Sequence, residues 1–101
     1  MTGDAAPGRY LLRLFVAGTA PRSLRTVESL RRICEAHLAG RYELEVIDIY
    51  QQPELAERDG VVAAPTLVRA APAPVRRITG DLSDPGRILR GLDPSLAEAR
   101  L

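Results

Sequence analysis

The stretch YLLRLFVAG, residues 10–18, is interrupted only by Arg13 and closes on a glycine. Such a run suits a strand buried on both faces, as in a parallel sheet. The residues after Gly18 narrow the choice. From Leu24 the apolar positions are Leu24, Val27, Leu30, Ile33, Cys34 and Leu38, whose spacing of three and four makes one helical stripe. YELEVIDIY, residues 42–50, then alternates, with Leu44, Val46 and Asp48 on one side and Glu43, Glu45, Ile47 and Ile49 on the other. Strand, helix and strand in that order require a right-handed parallel crossover.

The local signals around these elements are consistent with that order. TAPRS (19–23) offers Thr19 and Ser23 as helix caps with Pro21 in the first turn, and Gly40 stands where a C-terminal cap belongs. On the helix surface Glu28 can meet Arg31 and Arg32, and Arg31 can meet Glu35. QPELAERDG (52–60) reads as a short helix opened by Pro53 and ended near Gly60. VVAAPTLVR (61–69) places Pro65 just before a strand at 66–70, a position prolines take at a strand's first residue, an edge or a turn. A two-proline turn and a strand at Val75–Thr79 come next, then a helix in DLSDPGRILRGLD (81–93) with Ser83 as N-cap. The order β-α-β-α-β-β-α, with the last two strands as an antiparallel hairpin, predicts a thioredoxin-like α/β sheet with helices on both faces. The expected domain spans residues 10–93, between an N-terminal tail (1–9) and a C-terminal tail (94–101).

The chemistry such a sheet often carries is missing. A Cys-x-x-Cys after the first strand works because the helix N-terminus depresses a thiol pKa, yet that slot reads AGTAPRS. The single cysteine, Cys34, lies within the apolar stripe, where a thiol acts as a small hydrophobe. It excludes an internal disulfide. His37, the one histidine, lies near a helix end, and no further residues stand at metal-ligand spacing. No Ser-His-Asp order or phosphate loop is present, and no cofactor is implied. APTLV and GDLSD loosely resemble parts of a glutathione transferase N-terminal domain, but such an enzyme needs a second, helical domain. A net charge of +1 and no aromatic platform argue against nucleic acid. No run approaches the ~20 apolar residues of a membrane span. MTGDAAPGR does not read as a signal peptide, so the cytoplasm is the expected compartment. Every basic residue is Arg, a type suited to bidentate interface contacts. A binding role is what remains.

VAGTAPRS, EVIDIYQQPELAE, APTL and PVRRITGDLSD stand in the order and near the spacing of the KaiB family of circadian-clock proteins, which the chain resembles from about Tyr10 to Asp93. The resemblance implies a protein that is not an enzyme and that binds the N-terminal ring of KaiC, a hexameric ATPase. In the family that complex recruits further proteins such as KaiA. It also implies two folds: a ground state with a rearranged C-terminal half, as a tetramer, and a thioredoxin-like monomer that binds KaiC. The expected contacts are then Arg25, Arg69, Arg76 and Arg77, with Glu43 and Glu45 toward a recruited partner. The residues expected to govern the switch are Pro65, Pro72, Pro74, Gly91 and Asp93. Gly91 costs a helix ~1 kcal/mol relative to Ala, so Gly91→Ala is expected to favour the thioredoxin-like form. The family's triple proline is APAP here and its acidic tail is replaced by DPSLAEARL. Those departures suit a member from outside the cyanobacteria that works with a KaiC-type ATPase alone. A sensor module like the input domain of the histidine kinase SasA is the alternative, and a redox-linked protein a more distant one.

Overall fold

The computed structural model describes residues 9–98. Its elements run β1 (Tyr10–Val16), α1 (Pro21–Leu38), β2 (Tyr42–Asp48), α2 (Pro53–Arg58), β3 (Thr66–Ala71), β4 (Arg76–Thr79), α3 (Pro85–Leu92) and α4 (Pro94–Glu98). The predicted order holds through α3. Helix α4 differs from the expected tail. Proline is tolerated at a helix start, and Asp93 caps the new turn, its Oδ1 accepting from the Ser95 amide at 3.1 Å and the Ser95 hydroxyl at 2.9 Å. Leu96 then packs against the core. Residues 1–8 and 99–101 of the expected tails lie outside the described residues.

The sheet order is β2-β1-β3-β4. β1 runs parallel to β2, placing Leu12 opposite Leu44 and Leu14 opposite Val46, while β3 is antiparallel to both β1 and β4. α1 and α3 cover one face. There Leu12 and Leu14 meet Leu30 and Cys34 of α1, Ile88 and Leu92 of α3, and Leu67 of β3. α2 covers part of the other face, where Phe15, Ile47, Ala56 and Val68 form a smaller cluster. The alternation read in β2 holds: Leu44 packs on the α1 side and Ile47 on the α2 side.

Local polar contacts depart from the sequence expectation in three places, two of them helix caps. α1 is capped at Ala20 with no side-chain bond, and the Ser23 hydroxyl donates instead to the Ala17 carbonyl at 3.2 Å. α3 is capped by Asp84, which accepts from the Gly86 amide at 3.0 Å; Ser83 is occupied by Asp81, to which both its amide and its hydroxyl donate. The expected Glu–Arg pairs along α1 do not close to within 4 Å among the described residues. Glu35 is taken by the Tyr42 hydroxyl at 2.7 Å, a bond that pushes the phenol pKa up to about 12.

Where α3, α4 and β1 meet, the Tyr10 hydroxyl donates to Asp93 Oδ2 at 3.2 Å. The Ser95 amide is the main group holding the Asp93 carboxyl below its ordinary value. Partial burial opposes it, and the Ser95 and Tyr10 hydroxyls and Arg69 add to it. A depressed carboxylate contributes stability that is present above its unfolded pKa and lost as pH falls through the folded one. Asp93→Asn therefore should flatten the acid limb of the thermal-stability profile below pH ~4, where the wild type loses this contribution. Asp93→Ala, which also removes the cap, should cost about 1 kcal/mol in urea denaturation at neutral pH.

Candidate partner-binding surface

The C-terminal ends of β1 and β2 and the start of β3 lie at one end of the sheet, because β1 and β2 are parallel and β3 is antiparallel. Asp48 at the end of β2 organises this rim. Its Oδ1 accepts from the Gly18 amide at 3.0 Å and from the Tyr50 amide at 2.9 Å, clipping the β1–α1 loop to the β2–α2 loop. Gly18 has φ +76°, and a Cβ there would lie 3.5 Å from the Tyr50 ring. The ring is thus held over the glycine, and Tyr50 remains 73% exposed. A cleft of about 450 Å³ opens beside the rim, between the first turn of α1 and Pro65, lined in part by Arg22, Arg25 and Thr26. The first turn of α1 carries no acidic residue. Two aliphatic side chains are exposed nearby in the chain, Leu24 in the first turn of α1 and Val62 in the α2–β3 connection that ends at Pro65.

In this slot a thioredoxin-like protein would place its thiols. Here the only cysteine, Cys34, is fully buried about three turns further along α1, and burial, with Glu35 adding, pushes its thiol pKa up to about 11. It is protonated at neutral pH and packed, so it supplies no nucleophile.

The residues singled out in the sequence scatter. Arg25 is exposed at the cleft. Arg76 is exposed on the edge strand β4. Glu43 and Glu45 are exposed on the other edge strand, β2, held by Arg9 at 3.1 Å and Arg13 at 3.6 Å. Pro65 immediately precedes β3, and Pro72 and Pro74 sit exposed in the β3–β4 turn; all three prolines follow cis peptide bonds. Arg69 is a correction. It is 4% exposed, and its guanidinium donates to the carbonyls of Leu92 and of Pro74, the latter at 2.5 Å. Strand parity aims it under α3, so in this fold it fastens the end of α3 to the β3–β4 turn and is out of a partner's reach. Arg77 is exposed yet engaged, its Nε donating to the Asp59 carbonyl at 2.7 Å.

Two residues of this surface were not singled out. Arg22 shares the cleft with Arg25, and the i, i+3 spacing in APRSLR was the available signal. Asp48 left only a weak trace, an acidic residue ending an otherwise apolar strand.

The KaiB domain model matches residues 13–94. The chain belongs to the KaiB family. It is 54% identical over 84 residues to a circadian clock oscillator protein KaiB from Synechococcus sp. (strain RCC307), covering 83% of this chain and 76% of that one. Against the KaiB of Prochlorococcus marinus (strain MIT 9312) the identity is 52% over 89 residues, 88% of this chain and 85% of the relative. Among solved structures, the N-terminal domain of Synechococcus elongatus SasA matches at a TM-score of 0.68 with 29% identity, covering 99% of this chain and 87% of that domain. Mitochondrial thioredoxin 3 of Saccharomyces cerevisiae matches at 0.67 with 19% identity over 87% of this chain and 80% of its own, a likeness of fold alone. This KaiB-family protein therefore stands here in a thioredoxin-like arrangement, and no helix of the described residues is long and apolar enough to cross a membrane.

The Asp48 clip has a measurable consequence. Asp48→Ala removes two hydrogen bonds to a charged acceptor, each worth about 1.5–3 kcal/mol where fully made. The partly exposed site should reduce this to a total loss of about 1–3 kcal/mol in chemical denaturation. Faster amide exchange confined to Gly18 and Tyr50 should accompany it.

Proposed function

We propose that this protein is a non-enzymatic regulator of a circadian clock or simpler timer that binds the N-terminal ring of a KaiC-type hexameric ATPase as a thioredoxin-like monomer, modulating its ATPase and phosphorylation cycle in the cytoplasm. The observation that carries this reading is the pairing of a KaiB-family sequence with a thioredoxin-like fold whose catalytic slot has no thiol. Arg25 and Arg76, exposed and free of ion pairs among the described residues, are the contacts we assign to the ATPase. Glu43 and Glu45, on the open edge of β2, are assigned to a further partner of the KaiA or histidine-kinase kind. Size-exclusion chromatography with light scattering tests the reading, using this protein with the KaiC homologue of its source in ATP and in ADP. A nucleotide-dependent shift to a large complex is expected, weakened at least tenfold by Arg25→Glu. Absence of a complex after hours in either nucleotide would overturn it.

The likeness to the SasA N-terminal domain favours a second reading, a sensor module that occupies the same kind of docking surface. It is distinguished by co-purification of the chain with a kinase core and without the ATPase.

The fold-switch assignment gains a specific test. Gly91 lies in α3 against β4, and a Cβ there would come within 2.7 Å of Ile78 Cδ1 and 2.8 Å of Cγ1. The ~1 kcal/mol of helix propensity expected from Gly91→Ala is thus opposed by overpacking, which costs about 1–3 kcal/mol when the neighbour cannot yield. Gly91→Ala combined with Ile78→Val should populate the thioredoxin-like form more than Gly91→Ala alone, as read by backbone chemical shifts. Equal populations in the two variants would remove Ile78 from the account.

A further inference from the structure

The backbone between β2 and α2 is fixed amide by amide. Ile49 donates to the Val16 carbonyl at 2.9 Å and Tyr50 to Asp48 Oδ1 at 2.9 Å. Gln51 and Gln52 both donate to the Asp48 carbonyl, at 3.1 and 2.9 Å. The same Asp48 Oδ1 takes the Gly18 amide at 3.0 Å, so this turn is also tied to the loop after β1. A segment bound at four successive amides holds its side chains in place. One of them is Tyr50, whose ring lies against Gly18 on one side and is otherwise in water, 73% exposed. An exposed ring on a rigid turn forgoes the stabilisation that burial gives it elsewhere.

The surroundings of the ring define what it can meet. Ala17, the neighbour of Gly18, lines the cleft that also holds Arg22 and Arg25, so the ring and the cleft adjoin. No carboxylate lines that cleft, and neither arginine forms an ion pair among the described residues. A surface complementary to this one brings carboxylates to the two guanidinium groups and an apolar recess to the ring. Tyrosine suits the central place in such a contact, because it offers a large area with few rotamers to freeze. Tyrosine and arginine are also the residue types that most often carry binding energy at interfaces.

We infer that Tyr50 is the anchor of the partner-binding surface, entering an apolar recess of the KaiC-type ring, and that Asp48 is the positioning residue that orders it before contact. The inference rests on the ATPase reading above. Order present in the free protein lowers the entropic cost of association. Asp48 thus acts on affinity through Tyr50 and touches no partner itself.

Equilibrium titration of the labelled full-length chain with the KaiC homologue of its source tests this, after hours of incubation in the nucleotide that supports the complex. Tyr50→Ala should weaken binding about thirtyfold or more, as loss of an interface anchor does. Tyr50→Phe, which keeps the ring, should bind within about threefold of wild type. Asp48→Ala should weaken binding between about twofold and tenfold, the cost of ordering one side chain on contact. The double variant should bind no more weakly than Tyr50→Ala, since Asp48 has nothing left to position. Free Tyr50→Ala should keep wild-type amide exchange outside its own turn. Wild-type affinity in Tyr50→Ala, beside lost binding in Arg25→Glu, would overturn the anchor and leave the ATPase reading intact. Equal loss in Tyr50→Phe, or faster exchange throughout free Tyr50→Ala, would also overturn it. Additive losses in the double variant would remove Asp48 from the account. A wild type that forms no complex defeats the ATPase reading, and the anchor falls with it.

Discussion

Double burial of β1 is the constraint on which the other elements depend. Leu12 and Leu14 require cover from α1 and α3, and Phe15 requires it from α2, so helices must lie on both faces. A strand buried this way needs hydrogen-bonded neighbours on both edges, which β2 and β3 supply. The one charged residue within it, Arg13, is accommodated because it emerges where α2 no longer covers the sheet and meets Asp59 and Glu45 there. Ionic contacts that lie partly in solvent contribute little net stability. Their effect at this place is geometric, since they fix the loop after α2.

From that centre outward, packing gives way to polar ties. The α1 side of the sheet holds most of the buried aliphatic side chains, whereas β4 contributes Ile78 alone. Beyond Gly60 the core packing of Leu67, Ile88 and Leu92 is supplemented by hydrogen bonds from arginine to backbone carbonyls: Arg69, Arg77 and Arg87. A guanidinium suits this task because its donors form a fixed fork that can span two carbonyls. Arg69 does so at the end of α3, where unsatisfied helix carbonyls concentrate. Its Nε is left buried without a partner among the described residues, which offsets part of what the two bonds contribute.

The sequence was informative where burial imposes a period. The stripe of α1, the alternation of β2 and the strand–helix order were all visible, and the sheet arose from them. Four ordered motifs made the family legible as well. What stayed hidden was the direction of individual polar side chains. Arg69 in TLVRA looks like a solvated strand residue until the antiparallel register with β1 and the placement of α3 put it beneath a helix end. Capping was ambiguous for a similar reason. Ser83 and Asp84 are both good N-caps, and the choice fell to Asp84 only because Asp81 engages Ser83. Asp48 illustrates the limit more sharply, since its two acceptor bonds join loops whose proximity no local pattern encodes.

The candidate surface arises from the same division between packed and unpacked parts. A thioredoxin-like sheet presents the start of α1 and the residue before β3 together at one end, whatever those residues are. With thiols there the arrangement would favour redox chemistry; with Ala17, Pro21, Arg22 and Arg25 it offers shape and positive charge but no thiol. The chain's one thiol is placed where protonation and packing keep it inert. Meanwhile the Asp48 carboxylate holds the two loops of the rim together, and Tyr50 is kept exposed above Gly18. An ordered rim with exposed aromatic, aliphatic and guanidinium groups has the composition favoured at protein interfaces, where aromatic residues and arginine are enriched. The fold thus keeps the position where a thioredoxin-like protein places its thiols and presents there an ordered, exposed rim.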